Sequence, residues 1–228
     1  MIDQRSPLPA IEIETNEHPT WSVIWMHGLG ADGSDFVPVV PELGLSSEPG
    51  IRFVFPHAPE IPVSCNGGYV MRAWYDIISL DVVVRQVDEH GLLQSRAAIR
   101  QLIARENSRG IASERIVLAG FSQGGAVAYL TALTHAERLA GLIALSTYIP
   151  SPELLCKEAS AANRQIPIFA AHGLEDDVVS PRLGTAARDL LQGDGYVVDW
   201  HEYPMAHSVC LEEIQAIGAW IASTTRHG

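Results

Sequence analysis

Cysteine is scarce in this chain of 228 residues: there are three, Cys65, Cys156 and Cys210. The number is odd, the spacings are wide and no C-x-x-C occurs. That argues against a disulfide framework and for free thiols in a reducing compartment, the cytoplasm. The nine histidines form no ligand pairs with the cysteines, so no zinc site is expected, and no other cofactor is called for. No apolar run approaches the ~18 residues of a membrane span. The opening MIDQRSPLPAIEIE lacks the apolar core of a signal peptide. Lys and Arg number 15 against 27 Asp and Glu, a net charge of −12. This excess of acid argues against nucleic acid or an anionic membrane as a partner. Repeats, low-complexity tracts and linkers are also lacking, so one domain spanning 1–228 is the economical reading.

What is present is an apolar, sparsely charged chain, 47% and 18% respectively, of globular composition. A chain of this length buries about 70% of its unfolded surface. Residues 1–10 read as a loose start. IEIET (11–15) alternates, NEHP reads as a turn and TWSVIWM (20–26) as a strand, which together predict an antiparallel hairpin at a sheet edge. Further short apolar strands are expected at 51–55, 115–119, 141–146, 166–171 and 196–203. Helical patterns fall at 34–43, with Ser34 or Asp35 as cap, and at 91–108, 126–133, 153–163 and 181–191. A last helix, capped by Ser208, aligns Leu211, Ile214, Ile217 and Trp220. Residues 56–81 mix Pro, Gly and aromatics without a period and read as a long irregular connection. Alternating strands and helices imply an α/β fold, a mostly parallel central sheet with helices on both faces. In such folds sites lie at the carboxyl ends of the strands.

The most informative stretch is RIVLAGFSQGGAVAYLTAL (115–133). It reads as strand, sharp turn and helix, with Ser122 at the apex, and fits the G-x-S-x-G nucleophile elbow. Large side chains two residues either side of such a turn would collide with the strand and helix, and Gly120 and Gly124 remove them. The helix behind the turn directs free N–H groups toward Ser122.

A serine hydroxyl needs a general base, and the base needs an orienting acid. In this arrangement the chain order is Ser, acid, His. Glu175, Asp176 and Asp177 follow the strand at 166–171, and the residues alone do not separate them. His201 lies inside a predicted strand, whereas His207 lies in the loop beyond it, so His207 is the better base. An oxyanion also needs N–H donors. Gln123, after the serine, and Leu29, in the loop His27-Gly28-Leu29-Gly30, fit that role; His27 itself reads as structural.

With these segments in view the sequence resembles the carboxylesterase/acyl-protein thioesterase family of α/β-hydrolases. The matching strings are HGLGADG (27–33), FPHAPEIPVSCNGGYVMRAWYDI (55–77), AGFSQGGAVA (119–128), HGLEDDVV (172–179) and MAHSV (205–209). The NGGYVM portion is closer to bacterial esterase members. The resemblance implies the α/β-hydrolase fold, with Ser122 as nucleophile, Asp176 as orienting acid, His207 as base, and Leu29 and Gln123 as oxyanion donors. Two departures stand out: Leu174 where relatives often carry an acid, and Arg72 where they often carry Pro. The resemblance implies a metal-independent serine hydrolase working through an acyl-enzyme on carboxyl esters of small to medium acyl chains. Acyl-thioesters, including S-acylated proteins, or lysophospholipids come second. Tyr69, Met71 and Trp74 of the 56–81 segment are expected to wall the acyl pocket. A homodimer through an apolar patch near that segment is also implied. A non-catalytic binding protein would need a broken triad, and none is visible. A dienelactone-type hydrolase would need cysteine where the elbow has serine.

Overall fold

The computed structural model describes residues 7–79 and 86–227. In chain order the elements are β1 (Ala10–Glu14), β2 (Trp21–Met26), β3 (Ile51–Pro56), β4 (Glu60–Val63), β5 (Tyr69–Arg72), β6 (Ile77–Ser79), β7 (Gln86–Val87), α1 (Glu89–Ser108), β8 (Ile116–Phe121), α2 (Gln123–Leu133), β9 (Gly141–Leu145), α3 (Pro152–Glu158), β10 (Ile168–Gly173), α4 (Pro181–Gly193), β11 (Val198–Tyr203) and α5 (Leu211–His227). Seven strands form the central sheet in the order β1-β3-β2-β8-β9-β10-β11. All neighbours run parallel except the edge pair β1–β3.

The inner strands are short, apolar and buried along their length because helices cover both faces. Alternate residues go to opposite sides. Ile116 and Leu118 join a core with Leu92, Ile99 and Leu102 of α1, most of α2, and Ala187 and Leu191 of α4. Val117 and Ala119 face the other way, into a core with Phe36, Leu43 and Ile214, Ile217 and Ile221 of α5. This is the α/β-hydrolase fold, with the carboxyl ends of β2, β8, β9 and β10 side by side.

Several expectations need correction. β1 does not form a hairpin with β2; it pairs with β3, Glu14 opposite Arg52. Charges gather at this pairing. Glu12 and Glu14 meet Arg52, Arg105 and Arg109, and Arg52 in turn reaches the buried Glu106 of α1 at 2.9 Å. The helix expected at 34–43 is a 3-10 helix over Val37–Leu43, with a proline in its first turn and Pro41 inside it. The segment 56–81 is not wholly irregular: β4 and β5 form an antiparallel hairpin, Ile61 opposite Met71. Its residues 80 and 81, and residues 1–6 of the expected loose start, lie outside the described residues. The helix expected at 153–163 splits into α3 and a 3-10 turn over Ala161–Asn163. The last helix starts at Leu211, so Ser208 lies in the preceding turn and does not cap it.

Glu213, in the first turn of α5, is fully buried, and its carboxyl oxygens have no hydrogen-bond partner among the described residues. Burial pushes this carboxyl from 4.5 up to about 8. Between those values the unfolded chain has lost the proton and the folded chain keeps it, so the group lowers stability as pH rises. Glu213→Gln is therefore expected to melt increasingly above the wild type from about pH 5 to about pH 8, with the gap levelling beyond. Thermal melts across that range check it, and a constant gap refutes it.

Candidate active site

Ser122 sits between β8 and α2 with φ 54° and ψ −120°, a strained conformation for a residue with a side chain. Its N–H donates to Leu145 O at 2.9 Å, and Thr147 Oγ1 donates to its carbonyl at 2.6 Å. The crossing of α2 over the strand ends is close. A Cβ on Gly120 would lie 2.3 Å from Gly124 O, and one on Gly124 would lie 2.4 Å from Met26 O. No side chain fits at either place.

Ser122 Oγ lies 2.9 Å from His207 Nε2, and His207 Nδ1 lies 2.7 Å from Asp176 Oδ2. His207 is carried by the loop between β11 and α5, with its ring against Phe121 at 4.7 Å between centroids. Asp176 is buried in the turn after β10, and its Oδ1 accepts the Val178 and Val179 N–H groups at 2.9 and 2.7 Å. Burial alone would raise the Asp176 carboxyl. Hydrogen bonds from His172, His207 and the Val179 N–H outweigh it and hold the group well below the usual carboxylate range. Of the three acids in this turn, Glu175 and Asp177 are exposed and only Asp176 meets His207. His201 lies on β11 with its ring stacked on Phe169, away from Ser122. Such an arrangement lets an imidazole take the serine proton while a fixed anion supports the charge it gains.

Gln123 opens α2, so its N–H belongs to the first helical turn, whose amides lack acceptors within the helix. Its side chain is buried as well: Oε1 accepts the Trp74 N–H at 2.8 Å and Nε2 donates to Tyr75 O at 2.7 Å. Leu29 lies opposite, in a loop held where Gly30 N–H donates to Arg72 O at 2.9 Å. The Arg72 guanidinium donates to Ala58 O at 2.8 Å, so this residue also ties down the segment after β3. His27 is a clasp under it. Nε2 accepts the Ala58 N–H, and burial pushes its pKa down to about 4.

These groups surround a cavity of about 280 Å³ lined by Leu29, Asn66, Ile77, Phe121, Tyr148 and Val178, among others. Tyr69, Met71 and Trp74, expected to wall it, are not among the residues that line it. Tyr69 is 68% exposed on the hairpin. The Asn66 amide reaches the Met71 sulfur at 3.4 Å, and that sulfur also lies beside Gly30. Trp74 is buried, and its indole N–H donates to His27 O at 2.8 Å. From the same segment Cys65, Asn66 and Ile77 line the cavity instead. Thr147 and Tyr148 were missed. Their signal was the polar Ser146-Thr147-Tyr148 at the carboxyl end of the strand next to the elbow strand.

The comparisons with known proteins agree with this architecture. The phospholipase/carboxylesterase family model matches residues 8–225. An acyl-protein thioesterase 1 of Neurospora crassa is 40% identical over 225 residues, covering 92% of this chain and 89% of that protein. A probable carboxylesterase of Oryza sativa is 34% identical, covering 87% of this chain and 76% of that protein. Among solved structures, Zea mays acyl-protein thioesterase 2 superposes with a TM-score of 0.84 at 26% identity, covering 95% of this chain and 99% of that one. The chain belongs to the phospholipase/carboxylesterase family of α/β-hydrolases and is a hydrolase of the esterase type.

Proposed function

We propose that one domain carries a serine esterase whose triad is Ser122, His207 and Asp176. The hydrogen-bond chain from Ser122 Oγ through His207 to Asp176 is the observation that carries this reading. Ser122 Oγ attacks the acyl carbonyl as His207 Nε2 takes its proton. The Leu29 and Gln123 N–H groups hold the oxyanion that forms. His207 returns the proton to the departing alcohol or thiol, leaving an acyl-serine. Water, deprotonated by His207, then releases the acid. No step calls for a metal or a cofactor.

The modest cavity, with its mixed apolar and polar lining, supports esters of small to medium acyl chains as substrates. A thioesterase activity on S-acylated proteins is the second reading, favoured by relatives that are named acyl-protein thioesterases. The odd number and wide spacing of the three cysteines support a reducing, cytoplasmic setting. Among the described residues no helix is long and apolar enough to cross a membrane. Exposed Tyr69, Val70 and Ile78 near the cavity support a homodimer, which the elution volume of the purified protein tests.

Ser122→Ala and His207→Ala should each remove nearly all turnover of a p-nitrophenyl ester, and the double variant should lose little more, because the groups act as a unit. Additive losses argue against the triad. Asp176→Asn should lower kcat on the order of 10⁴-fold, while Glu175→Gln and Asp177→Asn leave it near wild type. Loss on either of the latter moves the acid elsewhere. Across p-nitrophenyl esters of rising chain length, kcat/KM should peak at short to medium acyl groups. A higher value for an S-acyl peptide would make the thioesterase reading the primary one.

A further inference from the structure

His172 ends β10 and is almost wholly buried, and the reaction as written does not use it. Its Nε2 lies 2.8 Å from Val179 O. A carbonyl only accepts, so the ring proton sits on Nε2. The same Nε2 lies 3.4 Å from Asp176 Oδ2, the oxygen that also meets His207 Nδ1. One carboxylate oxygen therefore bonds one imidazole and lies 3.4 Å from the ring nitrogen of a second. The Asp176 turn is closed at both ends of Val179: its N–H goes to Asp176 Oδ1 and its carbonyl to His172.

The other side of the ring is fixed by bare backbone. His172 Nδ1 is buried with no hydrogen-bond partner among the described residues. A Cβ on Gly184 of α4 would lie 2.3 Å from Nδ1 and 2.9 Å from Cε1. The ring occupies the space a side chain at position 184 would take. Turning it over would carry its only N–H away from both Val179 O and Asp176. A ring kept only for packing has no need of a donor on Val179 O with the Asp176 carboxylate 3.4 Å from the same nitrogen.

We propose that His172 is a positioning residue for the hydrolysis, a second imidazole that fixes the Asp176 carboxylate against His207, with Gly184 setting the ring's place. The inference rests on the triad reading above. Hydrogen bonding by His172 also contributes to holding the Asp176 carboxyl low. Misplacing a catalytic group by about 1 Å can cost about 100-fold in rate. His172→Phe, which keeps a flat ring and loses the donor, is expected to lower kcat about 10- to 100-fold with KM little changed. His172→Gln, whose amide N–H can reach Val179 O, should recover most of that loss. A folded His172→Phe variant with wild-type kcat overturns the proposal, and so does a glutamine variant as slow as the phenylalanine one. Long-range proton–nitrogen NMR on the wild-type protein gives a test independent of any variant's folding: the His172 proton should be on Nε2, and a proton on Nδ1 overturns the assignment. Fluorophosphonate labelling separates the two layers. An unlabelled Ser122 in wild type sinks the triad itself, whereas a labelled wild type with an indifferent His172→Phe sinks only the role of His172.

Discussion

Helix α2 crosses the ends of β2 and β8 with no room for a side chain between them. Gly124 lies where any Cβ would strike the Met26 and His27 carbonyls, and Gly120 where one would strike Gly124 itself. This lack of room brings the first amides of α2 beside the loop after β2, and forces Ser122 into its positive φ. The Leu145 and Thr147 contacts from β9 then hold the strained turn in place. A looser crossing would relax the serine and also separate the two N–H groups proposed for the oxyanion.

The same crossing links the site to its surroundings. Gln123 offers its backbone to the cavity and its side chain to Trp74 and Tyr75. Trp74 bonds back to the carbonyl of His27, next to the Gly28–Gly30 loop. Ser95 of α1 donates to Trp74 O from below. The segment from 73 to 75 is thus a strut between α1, the Ser122 turn and the Gly28–Gly30 loop. Trp74, expected to wall the pocket, is buried within this strut.

The sequence made the central sheet legible because strands buried on both faces read as short apolar runs, and every one ends at a polar or glycine-rich loop. The elbow, the acid turn and the histidine loop were legible for the same reason: they occupy strand ends. The edge strand was misread because sequence adjacency suggested β2 as partner. In the observed pairing Glu14 lies opposite Arg52, which also bonds Glu106 of α1; these residues are far apart in the chain and no local pattern joins them. The hairpin β4–β5 was hidden by Pro62 and by Gly67 and Gly68, which suggest a loop. Which of Tyr69, Met71, Cys65 and Asn66 faces the cavity depends on the pairing and twist of that hairpin, and no periodicity in 56–81 reports it.

The parallel sheet has a consequence for how this chain reaches activity. The Ser122–His207 contact closes 85 residues of chain and the Asp176–His207 contact 31. Parallel neighbours cannot be zipped through tight hairpins, so each must wait for an intervening crossover segment to fold back. Loop-closure entropy is spent before any of these contacts forms. The serine and its histidine meet only where β9, β10 and β11 lie beside β8, since the histidine loop follows β11. With the proposed triad, turnover in a refolding chain reports completion of the sheet out to its far edge, while helical signal alone does not.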